Sequence, residues 1–299
     1  MNKGAQYMII SSFAFSLMHL CVKAMPHIPV FELVFFRSLG SLLITFFYLN
    51  KNKTPIFGNN KKVLFARGLL GTIGLCLFFI TLQNIPLAGA VTIQYLSPVF
   101  TALFAVVILR ERVKKRQWLF FALAFIGVCL LKGFDISGQI SYYFALIGVA
   151  SACFSGLAYN CIRHLRTTES TLVVVFYFPL VATPTMGVLS FFNWVNPRGL
   201  DWFYILALGV VTQVAQVFMT KGIQSDSAGN IMTYKYVGVV FAFIYGHFIF
   251  KETYSFLSVF GIFLLLSGVI LNAVFKNQQV KKNARKKLKN SEGLACFSL

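Results

Sequence analysis

Three basic side chains, Arg37, Arg67 and Lys235, lie inside long apolar stretches of this 299-residue chain, and two of them are candidates for chemistry that needs a charge. Arg37 is next to Ser38 and one helical turn before Ser41, and Lys235 lies in a second apolar stretch. Because charge is costly at membrane depth, such residues usually face a water-filled cavity or a partner. We therefore predict that Arg37 binds an anionic or carboxylate-bearing substrate or pairs with a carboxylate. Lys235 is predicted to take a substrate or coupling role, with snorkelling to the nearby surface as the alternative.

Uncharged polar residues recur on common faces when the chain is read with a helical period of about 100° per residue. At such positions these side chains either face a substrate cavity or bond across helix interfaces. The proline at position 98 removes a backbone hydrogen bond and predicts a kink, which serves either gating or plain structure. Another helical face is not selected as a site, and its residues are Arg67, Gly71, Gly74, Phe78 and Thr81. The predicted cavity-lining residues, besides the two basic ones, are His19, Gln94, Tyr95, Pro98, Gln213, Gln216 and Tyr236.

Three carboxylates, Glu32, Glu111 and Glu252, are candidates for gating or for coupling to an ion. Glu32 and Arg37 are about 140° apart around one helix, so they make a poor pair within it. A position at the membrane interface is the alternative for Glu32. For Glu111 and Glu252, which have basic neighbours in the sequence, the alternative is local ion pairing or capping of the next helix.

The elements that must position these side chains follow from the composition. Hydrophobic residues make up 58% of the chain and charged residues 12%, whereas soluble domains carry about 25% charged residues. A water-soluble fold of this length could not cover its outside, so the composition excludes a soluble enzyme and a disordered chain. It predicts an all-α integral membrane protein, because helices satisfy their own backbone in lipid. Ten transmembrane helices are predicted, at 4–22, 31–48, 63–82, 87–109, 117–131, 141–162, 171–192, 202–220, 228–250 and 255–275.

Basic residues are distributed unequally between alternate loops, and this predicts the orientation of the chain. One side carries 20 of the 27 Lys and Arg residues and the other side carries 4. We therefore expect a multi-pass protein of the cytoplasmic (inner) membrane with both termini in the cytoplasm. The net charge of +19 is then mainly an orientation signal, and no nucleic-acid partner is predicted. The basic tail 276–299 is predicted either to bind anionic membrane lipids or to be disordered.

An internal repeat relates two parts of the chain at an offset of 141 residues. Eleven of the 49 residues in 83–131 are identical in 224–272, and shared apolar composition does not explain the polar matches. A unit of five helices is odd, so the second copy must enter the membrane from the opposite side, as in the inverted-topology repeats of secondary transporters. The repeats are predicted as 1–138 and 139–275. The matches that apolar composition leaves unexplained are Gln83 with Gln224, Tyr95 with Tyr236, Glu111 with Glu252 and Gly127 with Gly268.

Three short segments of the first predicted repeat carry a resemblance to a known family. They are Ile-Pro-Leu-Ala-Gly-Ala at 85–90, Ser-Pro-Val-Phe-Thr-Ala-Leu at 97–103 and Leu-Arg-Glu-Arg at 109–112, followed by Gly127 and Val128. These residues resemble the EamA module of the drug/metabolite transporter superfamily. The resemblance implies two inverted five-helix modules around a central cavity that moves small metabolites by alternating access. Phe15 and Ser16 depart from the Trp-Gly of many members, and Val239 stands where the first module has proline.

The function that these features predict is secondary transport of a small-molecule metabolite, coupled to an ion or to exchange. A membrane-embedded enzyme is one alternative, but the eight acidic residues are few, and no His-Glu-x-x-His or phosphate-binding Gly-x-x-x-x-Gly-Lys pattern occurs. A passive channel is the other alternative, although no repeated filter-like loop is visible. We predict no enzyme activity, no cofactor and no metal site. The predicted partners are the metabolite and membrane lipids, and a homodimer is left open.

Overall fold

The computed structural model describes residues 3–53, 56–108, 115–133, 141–225, 237–257, 259–268, 270–272, 274–275 and 278, and the regular structure within them is entirely helical. Short 3-10 turns, Leu165–Thr167 and Phe191–Asn193, extend two of the helices. In chain order the helices are α1 (Lys3–Ala24), α2 (Val30–Lys51), α3 (Lys61–Asn84), α4 (Leu87–Gln94), α5 (Ser97–Ile108), α6 (Lys115–Gly133), α7 (Tyr142–His164), α8 (Thr171–Ser190), α9 (Asp201–Ser225), α10 (Val237–Phe248) and α11 (Val259–Asn272).

Seven stretches of the described chain are long and apolar enough to cross a membrane. Their outward faces carry large apolar side chains, such as Phe47, Phe203 and Leu206 at 66–69% exposure, which lipid tails accept and water does not. The chain is therefore a multi-pass membrane protein. The predicted spans 228–250 and 255–275 are represented by α10 and α11. The seven stretches are Lys3–Ala24, Val30–Lys51, Lys61–Asn84, Leu87–Ile108, Tyr142–Thr167, Thr171–Asn193 and Asp201–Gln224.

The fourth predicted span is interrupted, which corrects the prediction of one continuous helix over 87–109. α4 ends at Gln94 and α5 begins at Ser97, with Tyr95 and Leu96 in a turn between them. Pro98 lies in the first turn of α5, where its missing N–H costs no helical hydrogen bond. In a continuous helix its ring would meet the carbonyl of Gln94, four residues earlier. The predicted kink at Pro98 is thus a helix break just before it.

Contacts between the helices come in matched pairs. α1 packs against α9 and α3 packs against α7, while α3 meets α8 and α2 meets α9. In the same way α1 contacts α10 and α7 contacts α5, and α2 packs against α8. The helices of the two halves correspond in order: α1 with α7, α2 with α8, α3 with α9, α4 and α5 together with α10, and α6 with α11. Exchanging corresponding helices turns each of these contacts into another one of the set, and turns the α2–α8 contact into itself.

The bundle has two ends, distinguished by their loops. The first end carries the loops 25–29, 85–86 and 194–200, and the second end carries the loops 52–60 and 168–170. At the first end Gln83 Nε2 donates to the carbonyls of Met25 and Ile28, at 3.2 and 3.0 Å. At the second end Gln224 Nε2 donates to the carbonyl of Glu169 at 3.5 Å. The two matched glutamines therefore each hold a loop, at opposite ends of the bundle.

α6 and α11 cross at another matched pair, Gly127 and Gly268. A Cβ at Gly127 would lie 2.5 Å from the backbone nitrogen of Leu265, and a Cβ at Gly268 would lie 2.7 Å from that of Ala124. Side chains larger than hydrogen would hold these two backbones apart, so the glycines permit the close crossing.

Candidate functional site

A cavity lies among seven helices: α1, α2, α3, α4, α7, α8 and α9. Its volume is about 80 Å³, measured as the space open to the centres of water molecules. A cavity needs at least about 10–15 Å³ to admit one water, so this cavity has room for water or for part of a small molecule. Aromatic and aliphatic side chains form much of its wall, and a small number of polar groups converge on it.

Arg37 on α2 lines this cavity and is fully buried, with 0% of its surface exposed. Its guanidinium carbon lies 5.0 Å from the ring centroid of Phe178 and 6.0 Å from that of Phe79. Within the described chain, none of its three side-chain nitrogens has a hydrogen-bond partner. The predicted pairing of Arg37 with a carboxylate is not seen among these residues.

Arg67 on α3 also lines the cavity, and the sequence prediction did not select it. It is 3% exposed, and its guanidinium carbon lies 5.3 Å from the ring centroid of Phe178. Gly71, one turn later, makes room for it, because a Cβ there would lie 2.1 Å from Nη1 of Arg67. An arginine followed four residues later by glycine inside an apolar span was the available signal.

Four more of the predicted residues line the same cavity: His19, Gln94, Tyr95 and Gln216. Gln94 Nε2 donates to Ser155 Oγ at 2.9 Å, and Gln94 Oε1 accepts from Ser151 Oγ at 2.8 Å. The amide of Gln94 is therefore held in place by α7. The buried Gln216 has no hydrogen-bond partner for its Oε1 among the residues described. His19 contacts Phe78 edge to face, with ring centroids 5.2 Å apart.

Gln213 and Pro98, predicted to line the cavity, lie elsewhere. Gln213 Oε1 accepts from Ser41 Oγ, and its Nε2 donates to Thr45 Oγ1 at 2.7 Å. Both groups of this amide are used between α2 and α9, so helix packing accounts for the residue. Pro98 lies in α5, outside the lining of this cavity.

Glu32, in the first turn of α2, is buried at the first end of the bundle. Its Oε2 accepts from the backbone N–H of Val195 at 3.0 Å and so holds the loop that follows α8. It is not part of the cavity lining.

Glu252 joins three segments at the first end. Its two oxygens accept from the backbone N–H of Leu87, at 2.9 and 2.8 Å, and cap the start of α4. Lys23 Nζ lies 3.4 Å from Oε1, and Tyr254 Oη donates to Oε2 at 2.7 Å. Burial, together with this carboxylate, raises the pKa of the Tyr254 hydroxyl, which stays protonated as a donor. The predicted capping is therefore present, but the helix is α4 and the cation is Lys23, not the neighbouring Lys251.

Three predicted site residues, Lys235, Tyr236 and Glu111, lie outside the described residues. Within the part of the chain that is described, no group of three or more His, Cys, Asp or Glu side chains is placed to hold a metal ion. The described cavity lining holds no carboxylate either. What the cavity offers a small molecule is positive charge, amide and hydroxyl groups and aromatic faces.

Membrane-crossing helices around a small cavity on which a few polar groups converge are the arrangement of multi-pass helical transporters. The model of the EamA-like transporter family matches residues 2–132 and again residues 143–274. The chain belongs to the EamA-like transporter family.

Three relatives of this chain have names that indicate transport: an exporter, a solute carrier and an uptake transporter. The chain is 31% identical over 273 residues to the pseudopaline exporter CntI of Pseudomonas aeruginosa strain UCBPP-PA14, covering 90% of this chain and 95% of that protein. It is 30% identical over 297 residues to human solute carrier family 35 member G1, covering 93% and 81%. It is 26% identical over 226 residues to the S-adenosylmethionine uptake transporter of Rickettsia felis, covering 74% and 75%.

A solved crystal structure shares the fold, with a TM-score of 0.69 at 16% identity, covering 92% of this chain and 98% of the other. The family and the named relatives confirm the predicted function: the protein is a small-molecule transporter and not an enzyme.

Proposed function

We propose that this transporter is a secondary transporter that works by alternating access, with two inverted five-helix repeats, 1–138 and 139–275, rocking around the cavity. In this proposal ten helices cross the cytoplasmic (inner) membrane, and both termini, including the basic tail 276–299, lie in the cytoplasm. The substrate is a small metabolite, and its movement is coupled to an ion or to an exchange partner.

The observation that carries the proposal is the matched pair Gln83 and Gln224. Each glutamine donates to the loop between the first two helices of its own repeat, and the two do so at opposite ends of the bundle. Two repeats of the same orientation would place both glutamines at one end. The paired helix contacts and the two separate matches to the family model support the same division.

The cavity between the repeats is the proposed substrate site. It lies between α1, α2, α3 and α4 of the first repeat and α7, α8 and α9 of the second, as a site at a repeat interface should. The break before Pro98 provides a point at which α4 and α5 can change their angle. The proposed substrate contacts are His19, Arg37, Gln94, Tyr95 and Gln216, with Lys235 and Tyr236, the repeat partners of Gln94 and Tyr95, on the opposite wall.

Glu252 is proposed as a gating residue at the first end. Its contacts join the end of α1, the start of α4 and the loop after α10, and these segments belong to both proposed repeats. Opening the first end must separate them. Glu111, its repeat partner, is proposed to act at the second end. Glu32 is proposed to hold the loop after α8 during this motion.

The experiment is counterflow in liposomes that contain the purified protein. Liposomes are loaded with an unlabelled metabolite pool that includes S-adenosylmethionine and pseudopaline, the compounds in the relatives' names, and uptake of each labelled compound is measured. We expect accumulation of at least one compound. Arg37→Ala and Lys235→Ala should abolish or strongly weaken uptake at near-normal protein abundance, whereas Arg198→Ala, at an exposed loop position, should not. Binding without movement would point to a receptor.

A further inference from the structure

We propose that Arg37 and Arg67 form one anion-binding subsite, and that the transported metabolite therefore carries a carboxylate or phosphate group. This inference rests on the proposed function, because it names the substrate class of the same cavity. The residues that carry it are the two arginines and Phe178, whose ring lies beside both.

The first step is that both arginines line the cavity and have hydrogen-bonding capacity that the described residues leave unused. Arg37 is 0% exposed and Arg67 is 3% exposed, and both line the cavity. Nε, Nη1 and Nη2 of Arg37 and Nε of Arg67 are buried without a hydrogen-bond partner among the described residues. Buried donors of charged groups that go unsatisfied are costly, so a ligand that accepts from them gains that free energy on binding.

The second step is that the described carboxylates are committed elsewhere. The chain has eight acidic residues, of which four lie in the described part. Each of these four accepts a hydrogen bond from another group, and none forms an ion pair with either arginine. The pairs are Glu32 with the Val195 N–H, Glu169 with the Asn60 N–H, Asp201 with His27, and Glu252 with Lys23 and the Leu87 N–H.

The third step is the distance between the two cations. Their guanidinium carbons lie 5.0 and 5.3 Å from the centroid of the same Phe178 ring, and are therefore no more than about 10 Å apart. In the proposed subsite, different oxygens of one carboxylate or phosphate accept from the two arginines, at charge-assisted distances of about 2.7–2.9 Å from nitrogen to oxygen. The planar fork of arginine suits carboxylate and phosphate oxygens in particular.

The fourth step is that two like charges share a buried site. Their mutual repulsion is weakly screened in the interior, and an anion removes it while it gains two partners. Both guanidinium carbons lie over the ring of Phe178, and this cation–π contact stabilises the two charges. Gly71 contributes to this arrangement, because a side chain there would collide with both Arg67 and Phe178.

The experiment measures anion binding by the purified full-length protein. Thermal unfolding is recorded with acetate, glutarate or inorganic phosphate, against chloride at equal ionic strength and against the neutral glutaramide. We expect stabilisation by glutarate or phosphate and none by glutaramide. In Arg37→Met and Arg67→Met the apparent dissociation constant of the effective anion should rise about 10- to 100-fold. Arg198→Met, at an exposed position, is the matched control and should bind as the wild type does.

A second measurement uses the wild-type chain, so it does not depend on how the variants fold. An arginine-specific dicarbonyl reagent, which reaches the buried arginines when the cavity opens in the proposed cycle, is applied with and without the effective anion. Modified residues are mapped by mass spectrometry, and Arg37 and Arg67 that stay unmodified without the anion would contradict an accessible subsite. Protection of Arg37 and Arg67, with Arg198 unchanged, is the expected result. Protection by acetate or glutarate indicates a carboxylate group on the substrate, and protection by inorganic phosphate indicates a phosphate group.

Two further outcomes would overturn the subsite: no arginine-dependent effect of any of the three anions, or equal protection by glutaramide. Counterflow of a neutral or cationic metabolite with no anion binding would overturn the subsite and leave the transport proposal standing. If anions bind and Arg37→Met abolishes this binding, but no compound moves across the liposome membrane, the subsite stands and the transport proposal is overturned.

Discussion

Replacing Glu252 by glutamine should loosen the first end of the transporter while leaving the fold intact. Glutamine keeps the size of the side chain but removes its charge. Hydrogen bonds to charged groups contribute about 1 kcal/mol more than neutral ones, and this applies to the contacts with Leu87 N–H and Tyr254 Oη. The ion pair with Lys23, at 17% and 10% side-chain exposure, adds up to about 1 kcal/mol. These contributions sum to about 2–3 kcal/mol, and the lower value of about 2 kcal/mol shifts the equilibrium between closed and open first ends roughly 30-fold.

The assay is the labelling rate of a cysteine placed in the cavity. Met18 lines the cavity and is 1% exposed here, so Met18→Cys reports on access from the first end. In a background without the native cysteines, a membrane-impermeant maleimide is added outside. We expect Glu252→Gln to raise the labelling rate about 30-fold when the open state is rare.

The control for this prediction is Glu169→Gln. Glu169 also accepts from a backbone N–H, that of Asn60 at 2.7 Å, but it lies at the second end. It should cost stability without speeding the labelling of Met18→Cys from outside. If Glu252→Gln lowers the melting temperature and leaves the labelling rate unchanged, Glu252 is only a cap of α4 and the gating reasoning is wrong.

Two other predictions test orientation and the cavity. A cysteine introduced near Lys62 should react only from the cytoplasmic side and one near Pro197 only from outside; the opposite pattern contradicts the inverted repeats. Gly71→Ala should lower counterflow at least about tenfold, because its Cβ would collide with Nη1 of Arg67 and lie 2.8 Å from Cδ2 of Phe178, so that both side chains must shift. Gly187→Ala, whose nearest contact is 3.2 Å, should transport normally, and equal losses in both variants would argue for a general packing defect.

The sequence predicted the seven described membrane-crossing stretches well, because hydropathy and length decide them. The third span was predicted as 63–82 and is Lys61–Asn84 in the structure. The repeat also predicted that Gln83 and Gln224 are equivalent. What each glutamine contacts could not be predicted, because the partners are carbonyls of loops that carry no sequence signal of their own.

The cavity was predicted less well because one helical face can serve two purposes. Gln213 and Gln216 are about 60° apart on α9, so periodicity gives them the same role. In the structure the first bonds to α2 and the second reaches the cavity. Arg67 lies on the same predicted helical face as Gly71 and Gly74. Because glycines on such a face favour helix packing, the face was not selected as a site. Its position beside Phe178 depends on the approach of α8, which periodicity within α3 does not contain.

The proposed anion subsite is divided between the proposed repeats, and this division matters for transport. Both arginines come from the first repeat, whereas Phe178 comes from the second. In the proposed rocking motion the ring moves relative to the two cations, so the surroundings of the charge would differ between the two conformations. A ligand shifts a conformational equilibrium only by its difference in affinity for the two states. If every contact of the anion and of the two cations lay within one repeat, the anion would bind equally in both conformations and shift nothing. The cation–π contact of Phe178 crosses the proposed boundary between the repeats, so in the proposed mechanism anion binding can bias the rocking equilibrium.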